Sequence, residues 1–312
     1  MKKKLFQLSL LLAAFAVLTL GSCKKTDDAD DSISAEDASN VSSTLNSATD
    51  DATNAASGIQ SFSGKTEGAM QLCGATVDTT NLHTDGSVLI TFNGQDCSGR
   101  ISRTGTITAT IANYTSGTRW KDAGAVLTLV FNAVTVTNLN TNKTVVLNGT
   151  HVHTNVSGGL AWKIMNNMET GTVTHHHTAS NFSLTFDDGT SRIWSVDRTR
   201  TFSNVGGVQS VTISSDHSEG GVSNVDAWGT NRLGTAFTNQ ITTPIVASTT
   251  CGLNKPTQGE VTHHVGSKNI AVVLGVNASG TAYDGNCSNL YGFKVTHTRN
   301  GHERSRVVSY WF

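Results

Sequence analysis

The amino-acid sequence predicts an all-β protein. A large antiparallel, sandwich-like body of about 14 strands follows a short helix and a tether. Three observations carry this. Apolar residues recur with period 2 along Ile107-Ala109-Ile111, Phe182-Leu184-Phe186 and Ile270-Val272-Leu274-Val276, the mark of strands with one buried face. Asn-Gly and Asp-Gly pairs stand at 93–94, 148–149, 300–301, 85–86, 188–189 and 284–285, dipeptides that suit hairpin turns. Only 14% of residues are charged, with 30 Gly and 2 Pro. That composition excludes a disordered or collagen-like chain.

The elements follow in order. Lys2-Lys3-Lys4, an apolar run from Leu5 to Leu20, and Leu20-Gly21-Ser22-Cys23 form a secretory signal over 1–22. Its end resembles a bacterial lipobox, which implies diacylglyceryl and N-acyl (palmitate-type) modification of Cys23 and cleavage before it. Two or three acyl chains hold a protein to a bilayer almost permanently. Loss of Lys2, Lys3 and Lys4 leaves 19 basic against 23 acidic side chains, so the net charge moves from −1 to −4. Residues 23–68 read as an acidic tether. Val41, Leu45, Ala48, Ala52, Ala55 and Ile59 share one helical face, which predicts a helix over about 35–57. Ser34 and Asp37 take the positions of a capping box at its start.

The body spans 69–312, one unit or two joined halves with a junction near 244–256, where Pro244 and Pro256 flank Cys251. The run Ala125–Val136 is apolar on both faces, which predicts a strand covered on both sides. Besides Cys23 the chain has Cys73, Cys97, Cys251 and Cys287. Four cysteines allow three connectivities. Local pairing, Cys73–Cys97 and Cys251–Cys287, is expected for an exported chain in an oxidising compartment.

The lipobox, the acidic run Asp27-Asp28-Ala29-Asp30-Asp31, the stretch Ile90-Thr91-Phe92-Asn93-Gly94 before Cys97, Gly105-Thr106-Ile107-Thr108-Ala109-Thr110, the late cysteine pair and Asp188-Gly189 before Trp194 together resemble a group of Bacteroidota lipoproteins. The resemblance implies an outer-membrane lipoprotein, and the acidic run resembles that group's surface-export signal. It brings no reaction and no catalytic residues.

Chemistry is sparse. The near-neutral charge excludes a nucleic-acid partner. There is no G-x-S-x-G, H-E-x-x-H or P-loop, so no enzyme and no cofactor are expected. His151-Val152-His153 places two imidazoles on one strand face. With His175 or His177 from the run His175-His176-His177 they could form a metal site. Five tryptophans, Trp120, Trp162, Trp194, Trp228 and Trp311, are candidates for stacking on sugars. Trp194 beside Arg192 and Arg198 is the best candidate for an exposed ligand-binding platform. The expected role is non-catalytic binding or adhesion at the cell surface, with a glycan or surface protein as partner. The alternative is a lipid or lipoprotein carrier or assembly factor with a curved sheet. A histidine-dependent metal protein or hydrolase comes third.

Overall fold

A computed structural model describes residues 26–59, 73–253, 255–299 and 302–310. The signal segment, Cys23 and Trp311 lie outside the described residues. Helix α1 (Thr26–Gly58) leads. β1 (Ala75–Asp78), the one-turn α2 (Leu82–Asp85), β2 (Ser87–Gln95), β3 (Ile101–Ile111), β4 (Ala125–Asn138) and β5 (Thr144–Asn155) follow. Then come α3 (Ala161–Met165), β6 (Gly171–Phe186), β7 (Ser191–Val205), β8 (Val208–Ser214), β9 (Ser218–Glu219), β10 (Val222–Ser223) and β11 (Val225–Thr230). β12 (Ala236–Ser248), β13 (Pro256–Val265), β14 (Lys268–Val276), β15 (Gly292–Arg299) and β16 (His302–Ser309) complete the chain.

The strands form one antiparallel sheet of 14 members in nearly sequential order. Between β7 and β12 the place of one strand is shared, β11 pairing with one end of β7 and β8 with the other. The sheet passes unbroken through 244–256, where Pro244 stands at a register break in β12 and Pro256 opens β13. Both expected disulfides are present, Cys73–Cys97 and Cys251–Cys287. No helix of the described residues is long and apolar enough to cross a membrane.

The core lies between the inward face of this sheet and α1. The helix packs against β2, β3 and β4 and also against β13, β14 and β15, so the sheet curls round it and supplies both walls of the sandwich-like body. Val41, Leu45, Ala48, Ala52 and Ala55 are fully buried. The small size of the three alanines lets the helix backbone approach the strands closely. The acidic run at 27–31 lies within the helix span. The helix therefore starts nine residues before the expected 35. Ser34 and Asp37 are then interior positions and not caps: Ser34 bonds to His263, and Asp37 to Arg232.

Curling needs bends, and two rows of irregularities provide them. Along β3–β6 stand Gly105, Ala133, Gly149 and Asn181, all with positive φ, at register shifts between neighbouring strands. Along β12–β15 the corresponding row holds Pro244, Gly259, Gly275 and Gly292, beside shifts in β12 and β14. Bulges of this kind bend a strand and raise its twist. They also correct the turn reading of two dipeptides. Asn93-Gly94 lies inside β2, paired with Thr104 and Arg103, and Asn148-Gly149 lies inside β5, where a Cβ on Gly149 would meet the Phe182 ring at 2.8 Å. Asp188-Gly189 does form the β6–β7 turn, Gly86 caps α2, and Asp284-Gly285 sits in the β14–β15 loop. Residues 300–301 are outside the described set, although Arg299 and His302 pair on either side of them. The outward face is mostly threonine and serine. On β4 it carries Val126, Thr128 and Val130, the last 43% exposed, so this strand is covered on one face only.

Candidate functional site

The interior holds an arginine seam, a histidine cluster and a cavity. The seam is built by β7. Arg192, Trp194, Val196, Arg198, Arg200 and Phe202 alternate inward. Arg192 Nη1 donates to the Ser34 carbonyl at 3.3 Å, Arg198 Nη1 to Ser42 Oγ at 2.9 Å, and Arg200 Nη2 to Asp50 Oδ2 at 2.9 Å. From 192 to 200 a strand advances about 26 Å, and from 34 to 50 a helix advances about 24 Å. The end-to-end spans match, so α1 meets both ends of the seam; in between, Ser42 lies about 12 Å along the helix and Arg198 about 20 Å along the strand, a difference the long arginine side chain takes up. Arg103 on β3 pairs with Asp51 and donates to Ser47 Oγ at 2.7 Å. Arg232 grips Asp37 through Nε and Nη2 at 2.6 and 2.9 Å, and Arg306 on β16 pairs with Glu36.

These positions correct the exposed platform expected at Trp194, Arg192 and Arg198. All three are at most 1% exposed. They share the inward phase of β7, so they stabilise the interior and present nothing to solvent. Arg192 lies 4.2 Å from the Phe237 ring centroid and 5.2 Å from that of Trp194, cation–π contacts in a desolvated setting. Burial pulls its pKa down to about 10, against the favourable influence of Asp37. Among the other tryptophans, Trp120 is buried against His175, while Trp162 and Trp228 are half-buried, the latter stacked on His217.

The histidine cluster arises from β5 and β6. On β5, Val145, Leu147, His151 and His153 point inward. On β6, His175, His177 and Ala179 point inward, and so do Phe182, Leu184 and Phe186 of the opposite parity. The switch is the bulge at Asn181, with φ 54°. Without that extra residue the phenylalanine phase would send His175 and His177 to solvent. The register sets His153 opposite His177, and His177 opposite Arg198.

His151, His153 and His177 each place one ring nitrogen within 4.8 Å of the others. His153 Nε2 and His151 Nδ1 share a hydrogen bond of 2.8 Å, and the His153 and His177 rings stack at 3.8 Å. His153 Nδ1 and the Nε2 atoms of His175 and His177 are buried without a partner. Burial, then Arg198 and Arg200, pushes the His151 pKa down to about 3, and burial and Arg200 do the same for His175. His153 and His177 are also held well below the usual imidazole range, first by burial. These rings are neutral. The structure thus brings together His151, His153 and His177. His175 stands next along the face, packed between Trp120 and Phe202. His176 points outward to Asp197 at 2.7 Å.

The cavity, of about 420 Å³, lies between α1 and the second half of the sheet. One wall is apolar, made by Val211, Ile213, Ile245, Ala247, Val261, Val272, Leu274 and Phe293. The other is the polar flank of α1, with Ser39, Ser42, Asn46, Asp50 and Asn54. Arg200, Asp226 and His263 close its charged part. Asp226 lies 3.6 Å from Arg198, and its Oδ1 is buried without a partner. Its pKa is raised by burial, against the lowering influence of Arg198.

Sequence reasoning missed Arg200, Asp50, Asp226 and the cavity. A signal for the seam was present: Arg192, Arg198 and Arg200 share parity with Trp194 and Phe202, and an arginine in an apolar phase demands an internal partner. Comparison with family models, with curated proteins and with solved structures gives no match.

Proposed function

We propose that this chain is a lipid-anchored, non-catalytic binding protein of the outer membrane, displayed at the cell surface, that carries an amphipathic small molecule in the cavity beneath α1. The carrying observation is the cavity itself. Its volume of about 420 Å³ lies in the range of small-molecule sites, about 300–1,000 Å³. An apolar wall facing a wall of serine, asparagine and aspartate fits a ligand with an acyl or similar apolar part and hydrogen-bonding groups on one side. This favours the carrier reading over a glycan platform, because Trp120 and Trp194 are buried.

The lipobox ending in Cys23 supports anchoring, and the acidic residues after it support surface export. Helix α1 begins three residues beyond Cys23, and its inward face joins the core from Ser34 onward. From Thr26 to Ser34 a helix rises about 12 Å, so an anchor at Cys23 would hold the cavity near the bilayer surface, where such ligands partition.

The test is native mass spectrometry of the protein purified from membranes, followed by organic extraction. A non-covalent adduct released by solvent is expected from the wild type. Ala247→Phe, which fills the cavity from its apolar wall, should lose it while keeping the same circular dichroism spectrum. No adduct, together with no uptake of a fluorescent fatty-acid probe by extracted protein, would overturn the proposal.

A further inference from the structure

We propose that His151, His153 and His177 form a buried binding site for a late first-row transition-metal ion, of the copper and zinc type. Three imidazoles on adjacent strands converge, each with a nitrogen within 4.8 Å of the other two. A metal with bonds of about 2.0–2.1 Å to nitrogen needs those atoms about 3.4 Å apart, which small ring rotations supply.

A second observation points to a ligand independently. His153 Nδ1 and His177 Nε2 are fully buried and unpartnered. An orphaned buried polar atom costs stability unless a water or ion satisfies it. Both orphans lie on the stacked pair of rings. No aliphatic replacement problem forces histidine here, because the same strands carry Leu147 and Phe182 on the same face.

Charge balance permits a cation. The neighbouring guanidinium of Arg200 is paired with Asp50 at 2.9 Å, and Arg198 lies 3.6 Å from Asp226. Imidazole nitrogen selects zinc, copper and nickel over magnesium or calcium, which prefer oxygen. The three histidines bring neither carboxylate nor thiolate, a set that suits Zn²⁺ and copper alike.

The experiment uses the whole mature chain, stripped of metal by unfolding with chelator. It is refolded with Zn²⁺, Ni²⁺ or ascorbate-reduced Cu⁺ alone, because the cluster is closed to solvent. After desalting, metal per chain is measured by plasma mass spectrometry, and the ligand set by X-ray absorption. One tightly held ion per chain with a nitrogen-only shell is expected. His177→Gln and His153→Phe should weaken retention at least hundredfold, and His264→Gln, on the outward face of β13, should leave it intact. Should a cluster variant fail to refold, the wild type alone decides: no retained ion of any of the three metals overturns the proposal. Equal retention by wild type and a folded His177→Gln chain overturns it too.

Discussion

Acidification should loosen the hold of the sheet on α1 through His263, and the size of the effect can be worked from its surroundings. His263 on β13 is fully buried. Its Nδ1 donates to Asn239 Oδ1 of β12 at 2.6 Å, and its Nε2 accepts from Ser34 Oγ of α1 at 2.9 Å. Asn231 donates to the same Ser34 oxygen at 3.4 Å. Burial, then the charges of Arg192 and His264, pushes the imidazole pKa down to about 3 from 6.5. The folded state therefore refuses a proton that the unfolded chain accepts below pH 6.5. Stability is full above that pH and falls as pH drops toward 3. At about 1.4 kcal/mol per pH unit, this one side chain removes about 2 kcal/mol between pH 7.5 and 5.0. His263→Gln carries no proton. The variant should be less stable than wild type at pH 7.5, and its pH profile shallower by about 2 kcal/mol over that interval. Urea unfolding of both chains at four pH values, with chelator present, measures the difference directly. Parallel profiles would refute the reasoning, because they would mean that His263 titrates alike in both states.

Three further outcomes are expected. Replacing Cys251 and Cys287 by Ala should cost about 3.8 kcal/mol, and Cys73 with Cys97 about 3.5 kcal/mol, on the loop-entropy relation for sequence separations of 36 and 24; urea midpoints would show both. Gly149→Ala places a Cβ 2.8 Å from the Phe182 ring and 3.2 Å from its Cα, at φ 135°, so a loss of more than about 1 kcal/mol is expected and a neutral melt would contradict the bulge. Leu45→Ala, at 0% exposure in the centre of α1, should cost about 2–5 kcal/mol, readable by thermal unfolding.

Much of this architecture was legible because period 2 survives locally in nearly every strand. The helical stripe Val41, Leu45, Ala48, Ala52 was equally clear, since spacings of three and four admit no other reading. What was not legible is where the period slips. Ala133 and Asn181 have no special look in the sequence, yet each reverses the parity of its strand. An extra residue in a bulge costs one position and changes the face of everything beyond it. Gly149 illustrates the converse: the Asn-Gly pair signals positive φ, and positive φ serves a bulge as well as a turn. The histidine site was partly legible, because His151 and His153 lie at i and i+2. The choice of His177 beside them required the register of β5 against β6, which only long-range pairing sets. Trp194 was misjudged for a related reason. Its arginine neighbours suggested solvent, when their shared parity with Phe202 placed them inside.

The arginines and the helix explain one another. A helix of alanine, serine, threonine, asparagine and aspartate has too little apolar surface to seek a core on its own. A sheet whose inner face carries Arg103, Arg192, Arg198 and Arg200 cannot close over an apolar helix, because a buried charge without a partner costs several kcal/mol. Each surface is unfit for an ordinary core and fit for the other. The polar contacts turn that mutual need into a register, since sliding the helix by one turn would strand Asp50 from Arg200 and Ser42 from Arg198 together. The same polarity leaves a hydrogen-bonding wall on one flank of α1, and the cavity opens there, facing the apolar inner side of β12–β15. A helix chosen for hydrophobicity would have filled that space. The composition that makes α1 a poor core element is therefore what makes room for a ligand with both polar and apolar parts.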